Sequence, residues 1–144
     1  MRWLYPAVLV AACGDDPEPR FPADYAATYT EVRGCRSSSD HDLHRIRVLA
    51  DPAALGPYMT RTSVFPVDSV VLKAEYDFGD TNCSGPEIEF TVMQKLATPE
   101  DLGWVWQRVG PDRSVTTEND SLCITCHTSC GVAPDGYDGT CTMP

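Results

Sequence analysis

Five consecutive residues, Cys123-Ile124-Thr125-Cys126-His127, place two thiols and an imidazole at the spacing of covalent haem attachment. Thiols three positions apart on a turn of helix can each reach one vinyl group of the same macrocycle. The imidazole that follows then sits under the iron and can serve as an axial ligand, leaving the second axial position open or available to another ligand. The same residues admit other chemistry. A C-x-x-C pair is also a redox couple or half of a zinc site, and Cys123, Cys126, His127 and Cys130 together would make a four-donor zinc set. A plain structural disulfide is a further alternative.

The chain has seven cysteines, Cys13, Cys35, Cys83, Cys123, Cys126, Cys130 and Cys141, many for a reducing cytosol and ordinary for an exported protein. Met1–Ala12 reads as a short signal peptide, with Arg2 at its start and an apolar run broken at Pro6. It is too short to span a bilayer as a helix. Val10-Ala11-Ala12-Cys13 is similar to a bacterial lipoprotein box, in which Cys13 would carry the lipid. Residues 13–21 then form a tether, and residues 22–144 the functional domain. The expected location is the periplasmic face of a bacterial membrane, with the lipid as the membrane contact. Covalent haem is attached in that same compartment, so the export signal and C-x-x-C-H point to one place independently.

With Cys13 lipidated and Cys123 and Cys126 on a haem, Cys35, Cys83, Cys130 and Cys141 remain, and four cysteines allow three connectivities. Cys130 and Cys141 bracket a loop rich in Gly, Pro and Asp and are placed to pair locally, which leaves Cys35 for Cys83. At 144 residues the chain suffices for one domain. Its net charge of −10 without a basic cluster argues against nucleic acid as a partner. The acidity reads as a solvated surface, with a docking face for a basic redox protein as the alternative.

The elements that must position these residues follow from the pattern. Pro22–Arg33 reads as a helix with Tyr25, Tyr29 and Val32 in one stripe, closed by Gly34. Cys35–Asp42 is polar and loop-like. His41 and His44 are the only histidines besides His127; either could be a sixth haem ligand, although acidic neighbours favour a surface or capping role. His44–Leu49 alternates as a strand, and Asp51-Pro52 starts a short helix that Gly56 and Pro57 should end. Strands are expected within Ser69–Tyr76, Glu87–Lys95 and Gly103–Val109, and a short helix over Glu118–Cys126 should present the cysteines. Gly131–Pro144 reads as an irregular tail. The links are too short for parallel crossovers. The expected fold is therefore α+β, a mostly antiparallel β-sheet with flanking helices and a C-terminal c-type haem-binding segment. Phe65, Phe90 and Trp104 are apolar candidates for a distal pocket but read first as core, and the strand acids Glu75 and Glu89 read first as solvated.

His44-Arg45-Ile46-Arg47-Val48, then Phe65-Pro66-Val67-Asp68-Ser69-Val70-Val71-Leu72-Lys73-Ala74-Glu75-Tyr76, Thr91-Val92-Met93, Trp104-Val105-Trp106 and Cys123 to His127, in that order, resemble the cytochrome P460 family. The resemblance is nearer to the beta-type cytochromes c-prime than to the lysine-cross-linked P460 enzymes. It implies a sheet with flanking helices, commonly a homodimer, and one covalent haem c on Cys123 and Cys126 with His127 as proximal ligand. Beta-type members bind small gases such as nitric oxide; the P460 enzymes oxidise hydroxylamine and join a lysine to the haem. That lysine belongs before the Phe-Pro segment, and no lysine precedes Lys73, a strand position. The expectation is thus an exported mono-haem cytochrome that binds a small gaseous or nitrogen-oxide ligand or passes electrons to a partner protein. The alternatives are a hydroxylamine-oxidising enzyme and a haem-free, disulfide-rich lipoprotein, which would have every domain cysteine in a disulfide.

Overall fold

The structure is a computed structural model that describes residues 16–98 and 100–141. Met1–Ala12 and Cys13, read above as signal and lipidation site, lie outside the described residues. Six strands form one sheet in the order β1-β2-β3-β4-β5-β6, every neighbouring pair antiparallel: β1 Thr30–Ser37, β2 Arg45–Ala50, β3 Val70–Tyr76, β4 Glu89–Lys95, β5 Trp104–Val109 and β6 Val115–Glu118. Helices α1 Tyr25–Thr28, α2 Pro52–Thr60 and α3 Ser121–Cys130 flank it. The architecture is the expected α+β meander.

The side-chain alternation of the strands divides the molecule into two cores. Register pairs Ile46 with Glu75, Val48 with Lys73 and Ala50 with Val71, so these residues share one face. Met93, Trp104 and Trp106 join that face, together with Ala54 and Tyr58 of α2 and the half-buried Cys123 and Ile124 of α3. On the other face Val70, Leu72, Ala74 and Tyr76 pack with Phe90, Val92 and Val109 under Phe21, Tyr25 and Tyr29. The sheet thus buries apolar residues on both faces, and on the first face Lys73 and Glu75 continue the row of Val71 and bring polar groups to it.

Several local expectations are corrected. The helix expected over Pro22–Arg33 is a single turn at Tyr25–Thr28, after which the chain extends as β1. Two facts hold it extended: β1 has a partner in β2, and Cys35 is bridged to Cys83 in the β3–β4 loop. Accordingly Tyr25 and Tyr29 belong to the second core while Val32 packs on the first. Helix α2 runs through Gly56 and Pro57 to Thr60, because Ala54, Pro57 and Tyr58 form its buried side; Asp51 caps its start by accepting from the Ala54 amide at 2.6 Å. Beyond the turn closed by the Gly110 amide on the Ser114 carbonyl, Val115–Glu118 form a sixth strand that the sequence did not suggest. Helix α3 starts at Ser121 behind the Asp120 cap. The end of the tether is docked: Phe21 is buried, and Arg20 binds Gln94, Gln107 and Glu118.

Candidate functional site

Helix α3 presents Cys123, Cys126 and His127 at positions i, i+3 and i+4, one stripe of the helix. The stripe faces a cavity of about 450 Å³ whose wall includes Cys123, Cys126, His127, Thr125 and Leu122 from the helix, Lys73, Thr91 and Arg108 from the sheet, and Ser38, Asp40 and His41 from the end of β1 and the loop after it. A recess of about 20 Å³ shares His41, Lys73, Thr91, Cys123 and His127 with it and adds Val71, Val92, Met93 and Trp106.

His127 is fixed from behind. Its Nδ1 lies 2.7 Å from the carbonyl oxygen of Gly139, so Nδ1 carries the proton and Nε2 keeps its lone pair. The pKa is pulled down to about 4, first by burial, then by the charges of Lys73 and His41, against the hydrogen bond to Gly139. A neutral imidazole with one nitrogen anchored and the other free is what an axial metal ligand requires. Gly139 is held in turn by the tail, in which Cys130 is bridged to Cys141. The Asp138 carbonyl accepts from the Trp104 indole at 2.7 Å, and the Asp138 carboxylate pairs with Lys95 at 2.7 Å.

The cysteines sort as the sequence suggested. Cys35–Cys83 and Cys130–Cys141 are disulfides, while Cys123 and Cys126 are free, the first half-buried and the second exposed. Burial, more than the nearby Asp120, raises the Cys123 thiol above its usual range against the opposing pull of Arg108. The four-donor zinc set is excluded as drawn, because Cys130 is bonded to Cys141. Among the described residues no group of three or more His, Cys, Asp or Glu side chains is placed to hold a metal ion. The haem-free alternative required all domain cysteines in disulfides, which Cys123 and Cys126 contradict.

The polar wall opposite α3 is where sequence reasoning fell short. Glu75 is not solvated; its side chain is 1 % exposed. His41 Nδ1 lies 3.2 Å and Thr91 Oγ1 3.0 Å from its Oε1, and His44 Nδ1 lies 2.8 Å from its Oε2. Burial alone would raise this carboxyl, but hydrogen bonds from His41, His44 and Thr91 and the charge of His41 outweigh it and hold the pKa down. Lys73 Nζ reaches His41 Nε2 at 2.7 Å. Burial brings the Lys73 pKa down to about 8, against the opposing charges of Glu75, Asp40 and Cys123. Glu89 is pushed upward, chiefly by burial and then by the Glu75 charge, and is paired with Arg108 at 3.1 Å.

Neither His41 nor His44 is a surface residue of the kind expected. His41 lines the cavity, but both of its ring nitrogens are engaged, which removes it as a ready sixth ligand in this arrangement. The apolar candidates are core: Phe65 stacks edge-on against Trp104 with centroids 5.1 Å apart, and Phe90 lies on the opposite face. Trp106 is the indole that reaches the site, its ring centroid 5.8 Å from that of His127. Lys73, Thr91, Arg108 and Trp106 were missed as site residues. The available signal was Lys73 and Glu75 standing in phase with Val71, with Thr91 and Glu89 in phase with Met93 on the neighbouring strand.

These residues fit a haem. The cavity falls within the range of roughly 300–1,000 Å³ that holds cofactors and small ligands. Its free thiols and anchored imidazole are the donor set for c-type attachment, and the Trp106 indole nitrogen, buried without a hydrogen-bond partner, leaves a donor available to an occupant. No curated protein matches the chain. The family model described as Cytochrome P460 matches residues 22–133, most of the chain, including all of the sheet and α3. The chain belongs to the cytochrome P460 family of haem cytochromes.

Proposed function

We propose that the protein is an exported, lipid-anchored cytochrome that would hold one haem c and bind a small ligand such as nitric oxide there. The observation that carries this reading is the convergence on one cavity of the two unpaired thiols, Cys123 and Cys126, and the neutral His127 imidazole. In this reading Cys123 and Cys126 form the thioether links and His127 is the proximal ligand. A bound haem supplies an iron centre that takes up small ligands and exchanges electrons. The chain's own contribution is to hold His127 Nε2 forward through Gly139, to shield one side with Val71, Met93 and Trp106, and to set Lys73 and His41 as hydrogen-bonding groups in the wall. Two disulfides fit an oxidising compartment and so favour export, while lipid attachment at Cys13 rests on the sequence Val10-Ala11-Ala12-Cys13 alone. A homodimer and a redox partner protein remain part of the proposal by family resemblance.

One observation favours the enzymatic alternative. Lys73 lines the cavity, so the strand position that argued against a lysine near the macrocycle is itself a site position. Hydroxylamine oxidation with a lysine-linked haem is therefore the second reading.

Intact mass and visible spectrum of protein matured in a periplasm with haem-attachment machinery test both. A mass gain of one haem that survives denaturation, with an ordinary c-type spectrum, supports ligand binding. A strongly red-shifted band, lost in Lys73→Met, supports the enzyme. A colourless protein of apo mass overturns both.

A further inference from the structure

We propose that Lys73, His41, Glu75 and His44 form a proton relay from the cavity to solvent, a role that rests on the haem reading above for what the cavity holds. The four side chains make one unbroken chain of hydrogen bonds. Lys73 Nζ reaches His41 Nε2 at 2.7 Å, His41 Nδ1 reaches Glu75 Oε1 at 3.2 Å, and Glu75 Oε2 reaches His44 Nδ1 at 2.8 Å. Its inner end lines the cavity and its outer end is the His44 side chain, 25 % exposed.

The directions of the donors are fixed by the charges. Glu75 is ionised and only accepts, so Thr91, His41 and His44 all donate to it. His41 therefore carries its proton on Nδ1 and turns Nε2, as an acceptor, toward the Lys73 amine. This is the arrangement of a base oriented by a buried carboxylate.

The step it permits is a balanced proton transfer. A ligand in the cavity gives one proton to Lys73 Nζ while Lys73 gives one of its own to His41 Nε2. Lys73 ends unchanged, the ligand has lost one proton, and His41 has become an imidazolium opposite the Glu75 carboxylate. Only N–H bonds, a transient O–H on Glu75 and the ligand's own bond to hydrogen change, and no electrons move. His41 passes its Nδ1 proton to Glu75; once His44 has exchanged with water to carry its proton on Nε2, its Nδ1 accepts from the now neutral Glu75 and its Nε2 proton leaves to water, which restores the starting tautomer. A proton moves inward by the same steps reversed.

A structural ion pair does not need this much. Glu75 takes two imidazoles from a single loop, and that loop spends two successive non-glycine residues in left-handed backbone, Asp42 at φ 51° and Leu43 at φ 63°, to bring His41 and His44 to the same carboxylate. The Lys73 amine, at about 8, exchanges protons near neutral pH. The other charges facing the chain are Asp40 toward Lys73, and Glu89 toward Glu75 with its partner Arg108, which also reaches Asp42 at 3.4 Å. His127 stands apart, its Nδ1 committed to Gly139.

The test is the reduction potential of the haem-loaded protein as a function of pH, in the wild type, Glu75→Gln and His44→Asn. The wild type is expected to show a slope of one proton per electron across the neutral range, because the relay delivers a proton when the cavity gains negative charge. Glu75→Gln should lose that slope with the visible spectrum unchanged. His44→Asn, a change at the exposed end, keeps the test available if Glu75→Gln fails to fold; it should slow proton exchange and shift the slope. Equal slopes in all three overturn the relay and leave the haem reading standing. A preparation whose mass shows no haem overturns the function proposed above, and the relay with it.

Discussion

His127 gives its Nδ1 proton to the carbonyl oxygen of Gly139 at 2.7 Å, and that bond decides which imidazole nitrogen faces the cavity. Gly139 has φ +87°, and a Cβ there would fall 2.5 Å from the Trp104 indole nitrogen. Gly139→Ala is expected to destabilise the fold by about 1–3 kcal/mol, the cost of a strained left-handed residue. Urea denaturation measures the loss, and an unchanged midpoint would show that the tail does not fix the carbonyl.

Buried and neutral, His127 makes the haem-free chain acid-sensitive. Its folded pKa of about 4 lies below the ordinary 6.5, so between these values the unfolded chain binds a proton that the folded chain does not. This contribution is fully present above pH 6.5 and falls away as pH drops toward 4, by about 3 kcal/mol in total. Denaturation of the wild type and His127→Asn at pH 7 and pH 5 should show a loss in the first that the second lacks.

Lys73 is expected to cost the fold stability at neutral pH. Its amine is ordinarily protonated up to 10.5 and here only to about 8, so stability should rise as pH climbs from 8 to 10.5. Lys73→Met should raise stability at pH 7 by about 1–3 kcal/mol, since Glu75 keeps its bonds from His41, His44 and Thr91. A destabilised Lys73→Met would mean that the amine supports Glu75 more than burial penalises it.

The Cys35–Cys83 bridge closes a separation of 48 residues between edge strand β1 and the β3–β4 loop. Replacing both with serine should cost about 2–4 kcal/mol. The bridge lies with the second core, so the haem spectrum should stay as it is. Differential scanning calorimetry beside the visible spectrum checks both halves of this expectation.

The strands, their antiparallel order and the Cys-x-x-Cys-His stripe were legible because each is local: alternation in β2, β4 and β5, and three functional side chains within one helical turn. The meander's outer strands were less so. Tyr25, Tyr29 and Val32 carry a helix-like spacing into the start of β1, and only pairing with β2 and the Cys83 bridge make Thr30–Ser37 extended. The polar wall was the hardest part to foresee. His41 and Glu75 are 34 positions apart, and whether a strand carboxylate meets water or two imidazoles depends on how the β1–β2 loop folds back over the sheet.

Strand β3 gives the molecule a form of error-checking. Lys73 and Glu75 alternate with Leu72, Ala74 and Tyr76, so a slip of one residue against β2 or β4 would drive an amine and a carboxylate into the second core and turn the apolar trio toward the cavity. No half-correct pairing retains a working cavity at tolerable cost. Chains that pass as folded have therefore placed Lys73 and Glu75 correctly, and quality control that reads only foldedness also selects for an assembled site.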